Sequence, residues 1–205
     1  MQNTLSTAKR RLPMNPTRTA IPEAELLAIT DRVEVIAGKV VPMSPVGALH
    51  HFIVGNIAHL LTLFVRAQAL GVVFPDGLIY ILEGDGDSVA RARVPDVSFV
   101  HRDRYPKAHD LRKPLRLAPD LSVEVVSPNE DTNETLERVR DFLHNGTRQA
   151  WIVYPSPKEV HVYTPDKDTV RVYRNADRFI IGAWLPIEVG LADVFALPSW
   201  LFEAE

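Results

Sequence analysis

Glu124 stands inside Leu121-Ser122-Val123-Glu124-Val125-Val126, a run whose β-branched and apolar residues read as a buried strand. An ionised carboxylate is expensive to bury alone, so any fold open to this chain must bring a cation to that position. An earlier run, Val94-Pro95-Asp96-Val97-Ser98-Phe99-Val100, opens on the same Pro-Asp pair as Pro119-Asp120 and supplies Asp96 at a strand's start. Two carboxylates at the ends of neighbouring strands make a hard oxygen site of the kind Mg²⁺ uses in phosphate chemistry. The bland alternatives are a turn residue after proline for Asp96 and a core ion pair with Arg93 or Arg138 for Glu124. Asp120 lies four residues before Glu124, which puts it about 13 Å away along a strand. It reads as a strand-entry residue.

Composition narrows the setting. A chain of 205 residues with 46% hydrophobic content can bury one sizeable core, and its length favours one domain. A net charge of −3 makes it no polycation, so contact with nucleic acid would need a local basic patch. The absence of cysteine excludes disulfides, Cys-ligated zinc and a thiol nucleophile, and fits a reducing cytoplasm. No secretory h-region and no apolar run near 18 residues, the approximate length of a span, are evident, so no membrane partner is expected.

Residues 1–21 carry Lys9, Arg10, Arg11 and Arg18 between prolines and read as a flexible basic tail before a single domain at 22–205. Pro22 to Leu27 reads as a short helix, and Arg32–Ile36 and Lys39–Met43 as a hairpin about Ala37-Gly38. Ile53, Ile57, Leu60, Leu61 and Phe64 recur at helical spacing, predicting an amphipathic helix from about Val46 to Gln68, closed by Gly71. Val72–Phe74, Leu78–Leu82 and Val89–Arg93 read as strands. Residues 101–117 form the most basic stretch, either a solvated loop or a phosphate contact. A helix is expected from the Ser127–Thr132 capping cluster to Asn145, with Ser127 as a cap. A hairpin at Ala150–Tyr154 and Glu159–Tyr163, strands at Thr169–Tyr173 and Phe179–Ala183, and a short apolar element at Leu191–Phe202 complete an α/β sandwich around a mixed sheet.

Several of these segments together resemble a known family. Glu34, Met43-Ser44-Pro45, His50 opening the long helix, Pro95-Asp96-Val97, Val123-Glu124-Val125-Val126-Ser127-Pro128, Asn145-Gly146, Trp151-Ile152-Val153 and Trp184-Leu185-Pro186 are similar in order and spacing to the Uma-two family. That family belongs to the PD-(D/E)xK nuclease superfamily. The resemblance spans roughly residues 22 to 200. It implies a restriction-endonuclease-like three-layer core, a mixed β-sheet flanked by helices. It implies an Mg²⁺-dependent endonuclease acting on DNA, with Mn²⁺ able to substitute, no organic cofactor, and a homodimer. Asp96, Glu124 and the carbonyl of Val125 would hold the metal, with His50 and Glu34 approaching the same cleft. The superfamily's lysine lies two residues after the glutamate, where this chain has Val126. In the Uma-two family it stands on the following helix, and here that position is Arg138. Arg138 is thus either an active-site cation or the i,i+4 surface partner of Glu134. Two other functions stay open: a DNA-binding or regulatory descendant without turnover, and a structural protein whose acidic pair belongs to a core ion network. Val160, Val162, Tyr163 and Trp200-Leu201-Phe202 are the apolar surface expected to join two copies.

Overall fold

The protein is described here from a computed structural model covering residues 19–128, 131–165 and 170–202. The expected tail falls outside the described residues up to position 18, as do Asn129-Glu130, the start of the strand read from Thr169, and the last three residues.

Alternation in one strand sets the layering. In β9 (Leu121–Val125), Leu121, Val123 and Val125 join the core beneath the long helix α2 (Ala48–Ala67), with Ile53, Ile57, Leu61 and Val65. Ser122 and Glu124 therefore face the other side of the sheet. The neighbouring strand β10 (Gln149–Tyr154) divides the same way. Trp151 and Val153 pack under α2, while Ala150 and Ile152 pack with Val139, Leu136 and Leu143 of α3 (Thr132–His144). Helix, sheet and helix form three layers, as the sequence implied.

The central sheet runs β12-β11-β10-β9-β8-β4, with β4 at Gly71–Pro75, β8 at Val97–His101, β11 at Glu159–Tyr163 and β12 at Arg171–Arg174. Only β9 and β10 pair in parallel, joined through α3; the other pairs are antiparallel. A second sheet, β3-β2-β7-β5, comprises β2 (Val33–Ile36), β3 (Lys39–Pro42), β5 (Tyr80–Glu83) and β7 (Arg91–Arg93). Its core of Val33, Val35, Ile81 and Ala92 also takes in Leu26 of α1 (Glu23–Leu27). Ile21, at the end of the expected tail, is buried there too, where β1 (Ile21–Pro22) pairs with β6 (Ser88–Val89).

The turns explain where sequence and structure differ. Ala37 and Gly38 both take positive φ, 49° and 72°, as a tight hairpin demands. Helix α2 ends at Ala67 with Gln68 as its cap, and Ala69 (φ 49°) turns the chain away before Gly71 is reached. Gly71 is instead the first residue of β4, where a Cβ would lie 2.1 Å from the Val100 carbonyl oxygen. The region after Trp184 holds a strand the periodicity did not reveal, β14 (Leu185–Gly190). It pairs with β13 (Arg178–Gly182) and leads into the single helical turn α4 (Leu191–Val194) and a 3₁₀ turn at Ser199–Phe202.

Two further readings change, and the basic stretch acquires partners. Val160 and Val162 are buried in the central core and cannot join two copies. The basic stretch is partly tied down: Arg104 pairs with Asp120, and Lys113 and Arg116 with Glu23, while Arg112 pairs with Asp110 on the surface. Helix α2, with 20 residues and a mean hydropathy of 1.5, is long and apolar enough to cross a membrane, although no apolar run of that length was evident in the sequence. One of its faces is occupied by the sheet core.

Candidate active site

The short link between β7 and β8 brings Asp96 to the end of β9. Its amide donates to the Val123 carbonyl at 3.1 Å, and its Oδ2 accepts the Val125 N–H at 2.7 Å. Asp96 is therefore hooked onto the peptide that follows Glu124. The register Val97 opposite Val123 fixes both carboxylates at one end of the sheet. Asp120 lies at the other end, where it accepts from the His101 N–H and pairs with Arg104 and Arg148, as a strand-entry residue should.

His50, in the first turn of α2, reaches Asp96 from the opposite layer, with Nε2 3.2 Å from Oδ1. A carboxylate only accepts, so Nε2 carries the donated hydrogen. The other ring nitrogen faces the Ser127 hydroxyl at 3.4 Å. Ser127 thus belongs to this cluster and is not the helix cap. Asp131 caps α3, its side chain accepting the Asn133 N–H at 2.8 Å.

Glu124 meets its cation from α3. Arg138 Nε lies 3.1 Å from Glu124 Oε2, and Arg138 Nη1 lies 4.0 Å from Glu34 Oε2. With its side chain mostly buried, Arg138 sits in the cleft and not on the helix surface. Of the two arginines named as possible partners of Glu124, Arg93 is engaged elsewhere. Glu124 Oε1 is buried and has no hydrogen-bond partner among the described residues. Burial pushes the Glu124 carboxyl well above the ordinary carboxylate range; Arg138 pulls it back, and Asp96 and Glu34 push it further up.

Glu34 belongs to an adjoining network that the sequence did not reveal. Arg93 donates to Glu34 Oε2 at 2.6 Å and to Asp141 Oδ2 at 2.7 Å, and Glu34 Oε1 accepts the Val94 N–H at 3.2 Å. Arg91 adds a second ion pair to Asp141 at 2.9 Å. A signal was available: Arg91 and Arg93 interrupt an apolar strand, and Asp141 lies three residues beyond Arg138, on the same face of α3.

Glu34, His50, Arg93, Asp96, Glu124, Ser127 and Arg138 line a cleft of about 350 Å³, walled by β2, β3, the start of α2 and α3, with Glu134 and Glu137 also in its lining. Among the described residues no group of three or more His, Asp or Glu side chains forms a protein-only metal cage. Two carboxylates with one orphaned buried oxygen fit instead a hard cation that keeps most of its other ligands from water and substrate, as Mg²⁺ does.

Comparison with known proteins places this architecture. A crystal structure titled as a putative nuclease belonging to DUF820 from Anabaena variabilis superposes with a TM-score of 0.71 at 22% identity, covering 88% of this chain and 99% of the other. The fold is restriction-endonuclease-like. Comparison with curated proteins gives no match. Residues 23–193 match the Uma2 family, described as "Putative restriction endonuclease", and the chain belongs to that family.

Proposed function

We propose that this protein is an Mg²⁺-dependent endonuclease that hydrolyses phosphodiester bonds in DNA, acting as a homodimer. The observation that carries the reading is Glu124 Oε1, a buried carboxylate oxygen without a hydrogen-bond partner among the described residues, in a cleft it shares with Asp96. Burying such an atom is costly unless a ligand comes to it. Asp96 and Glu124 would hold the cation, joined by the carbonyl of Val125, a residue whose N–H already donates to Asp96 Oδ2 at 2.7 Å. When bound, Mg²⁺ supplies Lewis-acid polarisation of the phosphate and a lower pKa for the attacking water.

The chain's own side chains divide the remaining work. Arg138 offers a permanent positive charge to the phosphate as negative charge develops there. His50 steadies Asp96 through its Nε2 contact, and its place in the cleft lets it meet a phosphate oxygen or carry a proton. Glu34 keeps Arg93 and Arg138 together at the floor.

The Arg138–Glu124 ion pair also favours a second reading, a DNA-binding protein of the same fold with little turnover. A guanidinium cannot lose its proton and holds water differently from an ammonium. Supercoiled plasmid incubated with Mg²⁺, Mn²⁺ or EDTA separates the two. The nuclease nicks plasmid only with the cations, and Asp96→Asn abolishes nicking. Metal-dependent DNA binding without nicking would support the second reading.

A further inference from the structure

Arg32 stands immediately before β2 and lines the cleft. It forms an ion pair with Asp76, which immediately follows β4, so the pair ties the start of the small sheet to the end of an edge strand of the large one. Asp76 is close enough to Asp96, His50 and His51 for their charges to act on it, which sets this pair beside the Asp96 end of the cleft.

The charges of the lining make that position informative. Five carboxylates, Glu34, Asp96, Glu124, Glu134 and Glu137, face three guanidiniums, Arg32, Arg93 and Arg138. The lining is negative; the metal and Arg138 would serve the scissile phosphate, and a backbone phosphate at the mouth needs a side-chain cation of its own. Arg93 has 3% of its side chain exposed and Arg138 12%, and both are engaged with buried carboxylates. Arg32 has 41% of its side chain exposed. Its guanidinium fork suits two phosphate oxygens as well as it suits a carboxylate.

We propose that Arg32 receives the backbone phosphate of the nucleic-acid substrate at the mouth of the cleft, exchanging Asp76 for the phosphate as the strand enters. This rests on the nuclease reading. Asp76 holds the guanidinium over the mouth in the free protein, so that a reachable positive charge stays beside an otherwise acidic lining.

The test measures binding of a short fluorescent DNA duplex in Ca²⁺, a hard cation with the same preference for oxygen, with thermal melting of each variant as a fold control. Arg32→Ala should weaken binding by about tenfold and lower the log–log salt slope by about one. Arg32→Lys should recover part of the loss, and Mn²⁺ affinity should stay at the wild-type value in both. Asp76→Asn should tighten binding several-fold when Arg32 is present and leave it unchanged on the Arg32→Ala background. Removal of a negative charge alone would tighten both backgrounds equally, and that result would overturn the exchange. Unchanged affinity and slope in Arg32→Ala, with wild type binding normally, would overturn Arg32 as the phosphate residue while leaving the nuclease reading intact. Wild type that fails to bind DNA in any divalent cation would overturn both.

Discussion

Arg138 Nε lies 3.1 Å from Glu124 Oε2, so the cation that offsets the buried glutamate arrives from α3 and not from two residues further on, where Val126 stands just past β9. On the proposed reading one guanidinium serves two purposes: it compensates Glu124 before any metal arrives, and it holds a positive charge where the phosphate would come.

Substitution at Arg138 should separate these purposes. Arg138→Lys should raise plasmid cleavage, because an ammonium positions water better at this place. Arg138→Ala should lower cleavage by about a hundredfold, corresponding to a lost transition-state contact of about 3 kcal/mol. The alanine variant should also melt earlier than wild type in EDTA and recover with Mg²⁺, since Glu124 loses its buried partner. Cleavage unchanged in both variants would move Arg138 out of the reaction.

The burial-raised pKa of Glu124 gives stability a defined pH dependence without metal. The native state holds the Glu124 proton more tightly than the unfolded chain does, so native stability falls as pH rises from the ordinary carboxylate range through the native value. Urea denaturation in EDTA across that range should show this fall. Glu124→Gln should remove its share of the slope and be at least as stable as wild type at neutral pH. A variant with the wild-type slope would mean that Glu124 is already charged at no cost.

Two glycines make opposite predictions. Gly55 lies inside α2, and a Cβ there would meet nothing within 4 Å, so Gly55→Ala should stabilise the protein by about 1 kcal/mol. Gly71→Ala places a Cβ 2.1 Å from the Val100 carbonyl and should cost about 1–3 kcal/mol as β4 shifts away from β8. Chemical denaturation reads both.

These contrasts mark what the sequence could reveal. The alternation of Val123, Glu124 and Val125 disclosed a buried strand with one costly residue, and the spacing of Ile53, Ile57 and Leu61 disclosed α2. Both are local periodicities, and the structure realises them. The Arg93–Asp141 pair and the Ser127–His50 contact were hidden because each depends on pairing across dozens of residues. The same limit explains β14: Leu185, Ile187 and Val189 alternate correctly, but Pro186 and the neighbouring turn residues mask a short edge hairpin. The partners of the basic stretch after His101 were hidden for a related reason. Charge composition does not show that Asp120 and Glu23 will take up Arg104 and Arg116.

Cleavage of both strands of a duplex calls for two active sites, and the expected homodimer needs an apolar surface. With Val160 and Val162 buried and Tyr163 partly buried against the α3 side of the sheet, the remaining candidate among the expected residues is the 3₁₀ turn, where Trp200 is 64% and Phe202 73% exposed. Light scattering should report a dimer at micromolar concentration, and Trp200→Ser with Phe202→Ser should yield monomer. Wild type that stays monomeric into the high-micromolar range would count against the assembly.

The central claim is that Asp96 and Glu124 share one divalent cation, and calorimetric titration with Mn²⁺ addresses it without relying on turnover. The account predicts one binding event per chain in wild type, lost in Glu124→Gln and in Asp96→Asn, with both variants still folded by circular dichroism. Identical Mn²⁺ binding in wild type and both variants, or none in any of the three, would contradict it.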